Sequence, residues 1–208
     1  MKKLLAIGLM QAAFTVSASG QAKPAHPAEV TKATTETLVC LRHGEKPRGG
    51  LGQLTCRGLN RALALPNILV EKYGNPQFIF APNPTQKVDN NTYFYVRPIV
   101  TIDPTAIRVG LPVNTQFGYR EIRELEDALK APVYQDATLF IAWEHRMLDE
   151  FSRALITHHG GDPAQVPAWR DDDYDMIYVF KIARNAGHET LSFTVDYEGL
   201  NDLSDTCP

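Results

Sequence analysis

Short unbroken apolar runs alternate with amphipathic stretches along most of the chain. Leu38-Val39-Cys40-Leu41 stands between polar residues and predicts a strand over 37–42 that is buried on both faces. Phe78-Ile79-Phe80-Ala81 predicts a second strand, broken at once by Pro82-Asn83-Pro84, and 138–143 a third. Between and after them apolar positions recur at helical spacing. Leu59, Leu63, Ile68 and Leu69 follow a Gly-rich loop (Gly49, Gly50, Gly52), with Thr55 as cap and Gly74 as stop, and Pro66 is expected to bend or restart that helix. Pro98 and Pro104 make 93–109 two short helices or one kinked one. The stretch 121–130 is a cleaner helix with Ile122, Leu125 and Leu129 on one face, and 146–156 is the helix after the third strand. Finally, 176–182 and 191–195 alternate as strands, joined by the turn Arg184-Asn185-Ala186-Gly187. This order predicts an α/β fold: a mostly parallel central sheet flanked by helices, with an antiparallel edge hairpin. Ligands of such sheets bind beyond the carboxyl ends of the strands.

The first residues have another character. Met1-Lys2-Lys3 precedes a mostly apolar run from Leu4 to Val16 and the small residues Ser17-Ala18-Ser19-Gly20-Gln21-Ala22, the pattern of an export signal over 1–22 with cleavage after Ala18 or Ala22. The stretch 23–36 is rich in Ala, Pro, Thr and Lys without periodicity and is expected to be a flexible leader. The folded domain is then 37–208, and the destination periplasmic or secreted. No later run approaches the roughly 20 apolar residues of a membrane-spanning helix. A formal charge of −3 in 208 residues gives no basic field for nucleic acid, so an anion site must be local. Of the three cysteines, Cys40 lies inside an apolar strand and is expected as a buried thiol. Cys56 and Cys207 lie in polar, loop-like surroundings and are expected to pair.

Two of the predicted strands end alike, in Leu41-Arg42-His43 and Trp143-Glu144-His145, so each delivers an imidazole to the edge where the site is built. His26, His158, His159 and His188 have no such placement and are expected at the surface. Arg42-His43-Gly44-Glu45 carries the sharpest signal. Gly44 allows a tight approach of backbone and anion, and Arg42 offers a fork of donors matched to phosphate oxygens. Two histidines without a further ligand at suitable spacing make a poor metal set.

Arg42-His43-Gly44 at the end of the first strand resembles the signature of the histidine phosphatases, the phosphoglycerate mutase-like superfamily. Leu54-Thr55-Cys56-Arg57-Gly58 is similar to that family's Leu-Thr-x-x-Gly, and His145 stands where its late histidine falls. The resemblance implies that His43 attacks phosphorus, that Arg42 and a second arginine grip the phosphoryl oxygens, that His145 completes the pocket, and that neither cofactor nor metal is required. Arg97, with Thr101 four positions on, resembles the second arginine, and 85–96 before it reads as an insertion forming a wall of the pocket; Arg57 and Arg108 are its substitutes. Glu121 stands where the mutase branch draws its proton donor, with Glu144 and Asp149 as rivals. The implied activity is metal-independent hydrolysis of a small-molecule or cell-envelope phosphomonoester. The alternatives are a phospho-ligand binding module without turnover, or a phosphate mutase, which export disfavours.

Overall fold

A computed structural model of the chain describes residues 32–208. The expected export signal over 1–22 and most of the 23–36 leader lie outside the described residues. The elements run β1 (Thr34–Arg42), α1 (Cys56–Tyr73), β2 (Phe78–Phe80), β3 (Lys87–Val88), β4 (Tyr93–Phe94), α2 (Arg97–Val109), β5 (Val113–Asn114), α3 (Ile122–Leu129), β6 (Thr138–Trp143), α4 (His145–His158), β7 (Met176–Asn185) and β8 (His188–Tyr197). β1 begins three residues before the strand predicted over 37–42. Thr34, Thr35 and Glu36, expected in the leader, pair with Arg184, Ala183 and Ile182 of β7, a long-range ladder that no local pattern announces.

Six strands form the main sheet in the order β5-β2-β6-β1-β7-β8. The first four are mutually parallel, β7 runs antiparallel to β1, and β8 returns antiparallel along the edge. The mostly parallel α/β sheet with an antiparallel edge hairpin is therefore present as the sequence predicts. Side chains of a strand alternate faces, and both faces of β1 and β6 are covered. Leu38 and Cys40, with Leu139, Ile141 and Trp143, pack with the apolar stripes of α3 and α4. Val39 and Leu41, with Phe140 and Ala142, pack on the other side with α1 and α2. Such double burial is why the central strands read as unbroken apolar runs.

Neither helix restarts at its internal proline. α1 continues through Pro66 and α2 through Pro104, each giving up one backbone donor inside a helix whose apolar face is held by the sheet. Residues 93–96 are not helical; α2 opens only at Arg97, with Pro98 in its first turn, where a missing N–H costs nothing. The 85–96 insertion forms the β3–β4 hairpin instead, its turn made by Asp89, Asn90 and Asn91 at φ 54°, 62° and 60°. These short polar side chains are the ones that tolerate left-handed backbone.

Cys56, the first residue of α1, is bonded to Cys207 across 151 residues, and Cys40 is the buried free thiol. Around this link Asn60 donates to the carbonyls of Ser204 and Thr206 at 2.9 and 2.8 Å, so the C-terminal tail lies along the start of α1.

Candidate active site

His43 is the first residue after β1 and is 2% exposed. Its N–H is bonded to the Trp143 carbonyl at 3.1 Å, a continuation of the β1–β6 ladder that ties the two histidine-bearing strand ends together. Nδ1 lies 2.7 Å from the Gly44 carbonyl, an acceptor only, so Nδ1 carries the proton and the Nε2 lone pair is left free. The backbone carbonyl holds the tautomer and Glu45 does not. Burial, the Arg97 guanidinium and then Arg42 keep the imidazole well below its ordinary pKa, in the neutral form.

Gly44 contributes space. A Cβ there would meet the Gly58 carbonyl oxygen at 3.0 Å, and one on Gly58 would meet the Glu45 carbonyl at 2.6 Å. The Leu-Thr-x-x-Gly stretch thus works mechanically: Thr55 caps α1 by accepting from the Gly58 N–H at 3.1 Å, and Gly58 lets the first turn press against the His43 loop. Glu45 turns away to Arg61, which also engages Glu198 and lies 3.5 Å from Asp175. Burial pushes the Glu198 carboxyl up to about 8. This buried cluster fastens the loop to the C-terminal segment, and nothing in the local pattern pointed to it.

Arg97 opens α2, is 3% exposed, and donates through Nη1 to Asp89 at 2.9 Å and to the Gly50 carbonyl at 3.1 Å. Burial raises the Asp89 carboxyl, but the Gly52 N–H and Arg97 outweigh it and hold it low. Thr101 joins α2 to the histidine loop: its hydroxyl accepts from the Gly44 N–H at 2.9 Å and donates to the Arg97 carbonyl at 2.8 Å. Arg42 is buried and donates through Nη1 to the carbonyls of Arg170, Asp171 and Asp173 at 3.2, 3.0 and 2.7 Å. The Tyr174 ring lies 4.0 Å beneath its guanidinium. Arg57 is not a substitute for Arg97, since it pairs with Asp205 of the tail; Arg108 bonds Asn67 on the surface.

His145 opens α4 and is 4% exposed. Its Nε2 lies 2.8 Å from Asp171, and its Nδ1 approaches Glu144 at 2.8 Å without the alignment of a hydrogen bond. Glu144 caps α4 by accepting from the Met147 N–H at 3.0 Å. Burial raises Glu144, but His145 and the helix amides prevail and hold it low.

Arg42, Arg97, His145 and Glu144 line one cavity of about 700 Å³, together with Lys46, Arg120 and Arg146. Val88, Asp89 and Tyr95 line it too, so the 85–96 segment forms one wall. Tyr95 is fully buried, edge-on to His43 with centroids 5.8 Å apart, and 4.7 Å from the Arg97 guanidinium. The Tyr95 hydroxyl and the Nε atoms of Arg42 and Arg97 have no partner among the described residues. Buried polar groups are normally paired, and a cavity lined by several cationic side chains suits an oxyanion ligand. Among the described residues no three His, Cys, Asp or Glu side chains are placed to hold a metal ion.

Two of the acidic candidates lie elsewhere. Glu121 does not line the cavity; its carboxylate accepts from the Gln86 amide and the Gly118 N–H, both at 2.9 Å. Its expected place rested on chain distance from Arg97, and the loop before α3 turns it toward Gln86 of the insertion. Asp149 accepts from the Tyr178 hydroxyl at 2.9 Å and the Trp169 N–H at 3.2 Å, under the 170–174 loop. His158 and His159, expected as plain surface residues, pair with Glu126 and Glu189 around a separate cavity of about 330 Å³ shared with Glu36 near the start of β1. The sequence reading missed Tyr95, Tyr174 and Asp171, none of which belongs to a short motif.

The fold is that of a phosphoglycerate mutase-like α/β protein, with a cavity lined by Arg42, Arg97 and His145; His43 is not among the lining residues and lies behind them, edge-on to Tyr95. Solved structures with the same fold include mycobacterial hydrolase 2, at 14% identity over 78% of this chain and 89% of that one, TM-score 0.51. A proposed phosphohistidine phosphatase SixA from Nakamurella multipartitia matches at 16% identity, 81% and 98% coverage and TM-score 0.53. Phosphoglycerate mutase from Bacillus anthracis str. Sterne matches at 11%, 78% and 93%, TM-score 0.50. At such identities the likeness is one of fold, and at that level it bears out the resemblance to histidine phosphatases. No family model and no curated protein sequence matches the chain.

Proposed function

We propose that this chain is an exported, metal-independent phosphomonoester hydrolase that works through a phosphohistidine intermediate on His43. The observation that carries this reading is the state of His43: a buried imidazole, kept neutral, with its Nδ1 proton spent on the Gly44 carbonyl and Nε2 free. In-line attack by Nε2 places the phosphoryl group among Arg42, Arg97 and His145, whose donors stabilise charge on its oxygens. Water then attacks phosphorus and releases phosphate. Export is supported by the signal-like residues 1–22 and by the Cys56–Cys207 disulfide, a bond suited to an oxidising compartment. Among the described residues no helix is long and apolar enough to cross a membrane. The substrate is a small-molecule or cell-envelope phosphomonoester whose organic part meets Tyr95, Tyr119 and Met147 at the cavity wall.

The test is incubation with an aryl phosphate in excess chelator, beside His43→Ala. The expected result is hydrolysis with acid-labile, base-stable phosphate on the protein, both lost in the variant. Tight vanadate binding without hydrolysis would instead support a phospho-ligand binding module. The position of Glu121 outside the cavity favours that second reading, because it leaves the first-choice proton donor out of reach.

A further inference from the structure

We propose that Asp171 donates the proton to the leaving group, an assignment that rests on the phosphohistidine reading of the pocket. Leaving alkoxides need a general acid within hydrogen-bond reach, and the carboxylates around this cavity differ in what they are free to do. Asp89 is committed to Arg97 and the Gly52 N–H. Glu144 is committed to the Met147 N–H as the cap of α4. Glu150 is held by Arg123 at 2.9 Å. Glu121 and Asp149 lie outside the cavity lining.

Asp171 is placed differently. Its carboxylate reaches His145 Nε2 at 2.8 Å and Arg146 Nη2 at 3.3 Å, while its side chain is 73% exposed on the open side of the pocket. The backbone carbonyl of the same residue accepts from Arg42 at 3.0 Å. Loop 170–174 is thereby moored to one phosphoryl-binding group while its carboxylate rests on another. That location is shared with the phosphoryl oxygens, and an incoming phosphate takes His145 Nε2 over. The released carboxylate swings toward the mouth, where the ester oxygen departs opposite His43. In the free protein the His145 hydrogen bond and Arg146 hold Asp171 in its charged form. Exchange of His145 for a neighbouring dianion reverses that balance and favours the protonated acid.

As its carboxylate leaves His145, Asp171 takes up one proton, from the monoanionic ester or from solvent. The Nε2 lone pair of His43 forms the P–N bond as the P–O bond to the alcohol breaks, and the Asp171 proton goes to the departing oxygen. Water then attacks phosphorus, the P–N bond breaks with its electron pair returning to His43, and the Asp171 carboxylate takes one proton from the water. Phosphate leaves with the other, and Asp171 gives its proton up to solvent as the carboxylate returns to His145, so both residues regain their starting forms.

The experiment compares the full chain with Asp171→Asn, Asp171→Glu and His43→Ala on dinitrophenyl phosphate, whose leaving group needs no proton, and on propyl phosphate, whose leaving group does. In kcat/KM, which reports the steps up to departure of the leaving group and not the later hydrolysis of the phosphohistidine, Asp171→Asn is expected to lose about a hundredfold or more on propyl phosphate and less than about fivefold on dinitrophenyl phosphate, with Asp171→Glu recovering part of the loss. Equal losses on both substrates, or no loss on either, would overturn the assignment. Tighter vanadate binding with an unchanged dependence on leaving group would also overturn it, leaving Asp171 as a gate. If the wild-type chain hydrolyses neither substrate, or His43→Ala retains turnover, the underlying phosphohistidine reading fails instead.

Discussion

Replacement of Arg97 separates catalysis from stability in this pocket. Arg97→Ala removes a guanidinium that is 3% exposed and whose Nε is unspent while Nη1 holds Asp89 and the Gly50 carbonyl. In the proposed transition state it supplies about two charge-assisted hydrogen bonds to phosphoryl oxygens, each contributing roughly 1.5–3 kcal/mol. The loss of about 3–6 kcal/mol corresponds to roughly a hundredfold to ten-thousandfold in kcat/KM. Arg97→Lys keeps the charge without the fork and is expected to fall between, at about a ten- to hundredfold loss. The structural cost is smaller. Asp89 keeps the Gly52 N–H at 2.9 Å and retains 17% side-chain exposure, so its orphaned carboxylate is partly hydrated. A loss of about 1–3 kcal/mol lowers Tm by less than about 12 °C for a chain of this size. Initial rates on an aryl phosphate at 25 °C, with thermal melts of the same samples, measure both quantities. An Arg97→Ala protein that stays within threefold of wild type in kcat/KM, while His43→Ala is inactive, would refute the argument.

Four further outcomes are expected. Because burial and two guanidinium groups hold His43 well below 6.5, the acid limb of kcat/KM against pH should fall below that value, and an acid limb at or above 6.5 would contradict the neutral-nucleophile geometry. The same lowering means that the unfolded chain binds the extra proton first, so His43 costs stability as pH falls through about 6.5, and His43→Ala should weaken that dependence in urea titrations. Joint replacement of Cys56 and Cys207 by Ala, which opens a link spanning 151 residues, should lower unfolding free energy by about 3–5 kcal/mol, and a change under 1 kcal/mol would mean that the tail's other bonds suffice. Glu121→Gln should leave kcat within about threefold while lowering stability by about 1 kcal/mol through the Gly118 N–H and Gln86 bonds; a hundredfold loss of kcat with substrate affinity intact would restore Glu121 as the proton donor.

What the sequence determined by itself is what short-range pattern encodes. The double-faced burial of β1 and β6 writes itself as unbroken apolar runs, the hairpin as alternation, and the approach of the histidine loop to α1 as Gly44 and Gly58. The two histidines and Arg42 were legible because each follows a strand core, and a strand's carboxyl end is fixed in space once the sheet is. The cysteine pair was legible because only two of the three thiols lie in polar surroundings. Tertiary structure alone decided the rest, since those contacts join residues far apart in the chain. Thr34 to Glu36 became strand because β7 pairs with them; Pro66 and Pro104 stayed within helices because the sheet holds those helices. Arg97 reached the pocket through a hairpin whose Asp89 turns back upon it, while Glu121, placed by counting along the chain, was turned toward Gln86. Asp171 and Tyr174 stand more than a hundred residues from Arg42, in a stretch that reads locally as a solvated acidic loop. Only the docking of that loop on the ends of β1 and β6 makes it part of the site, because a carboxylate acquires its chemistry from the groups the fold brings within 3 Å of it.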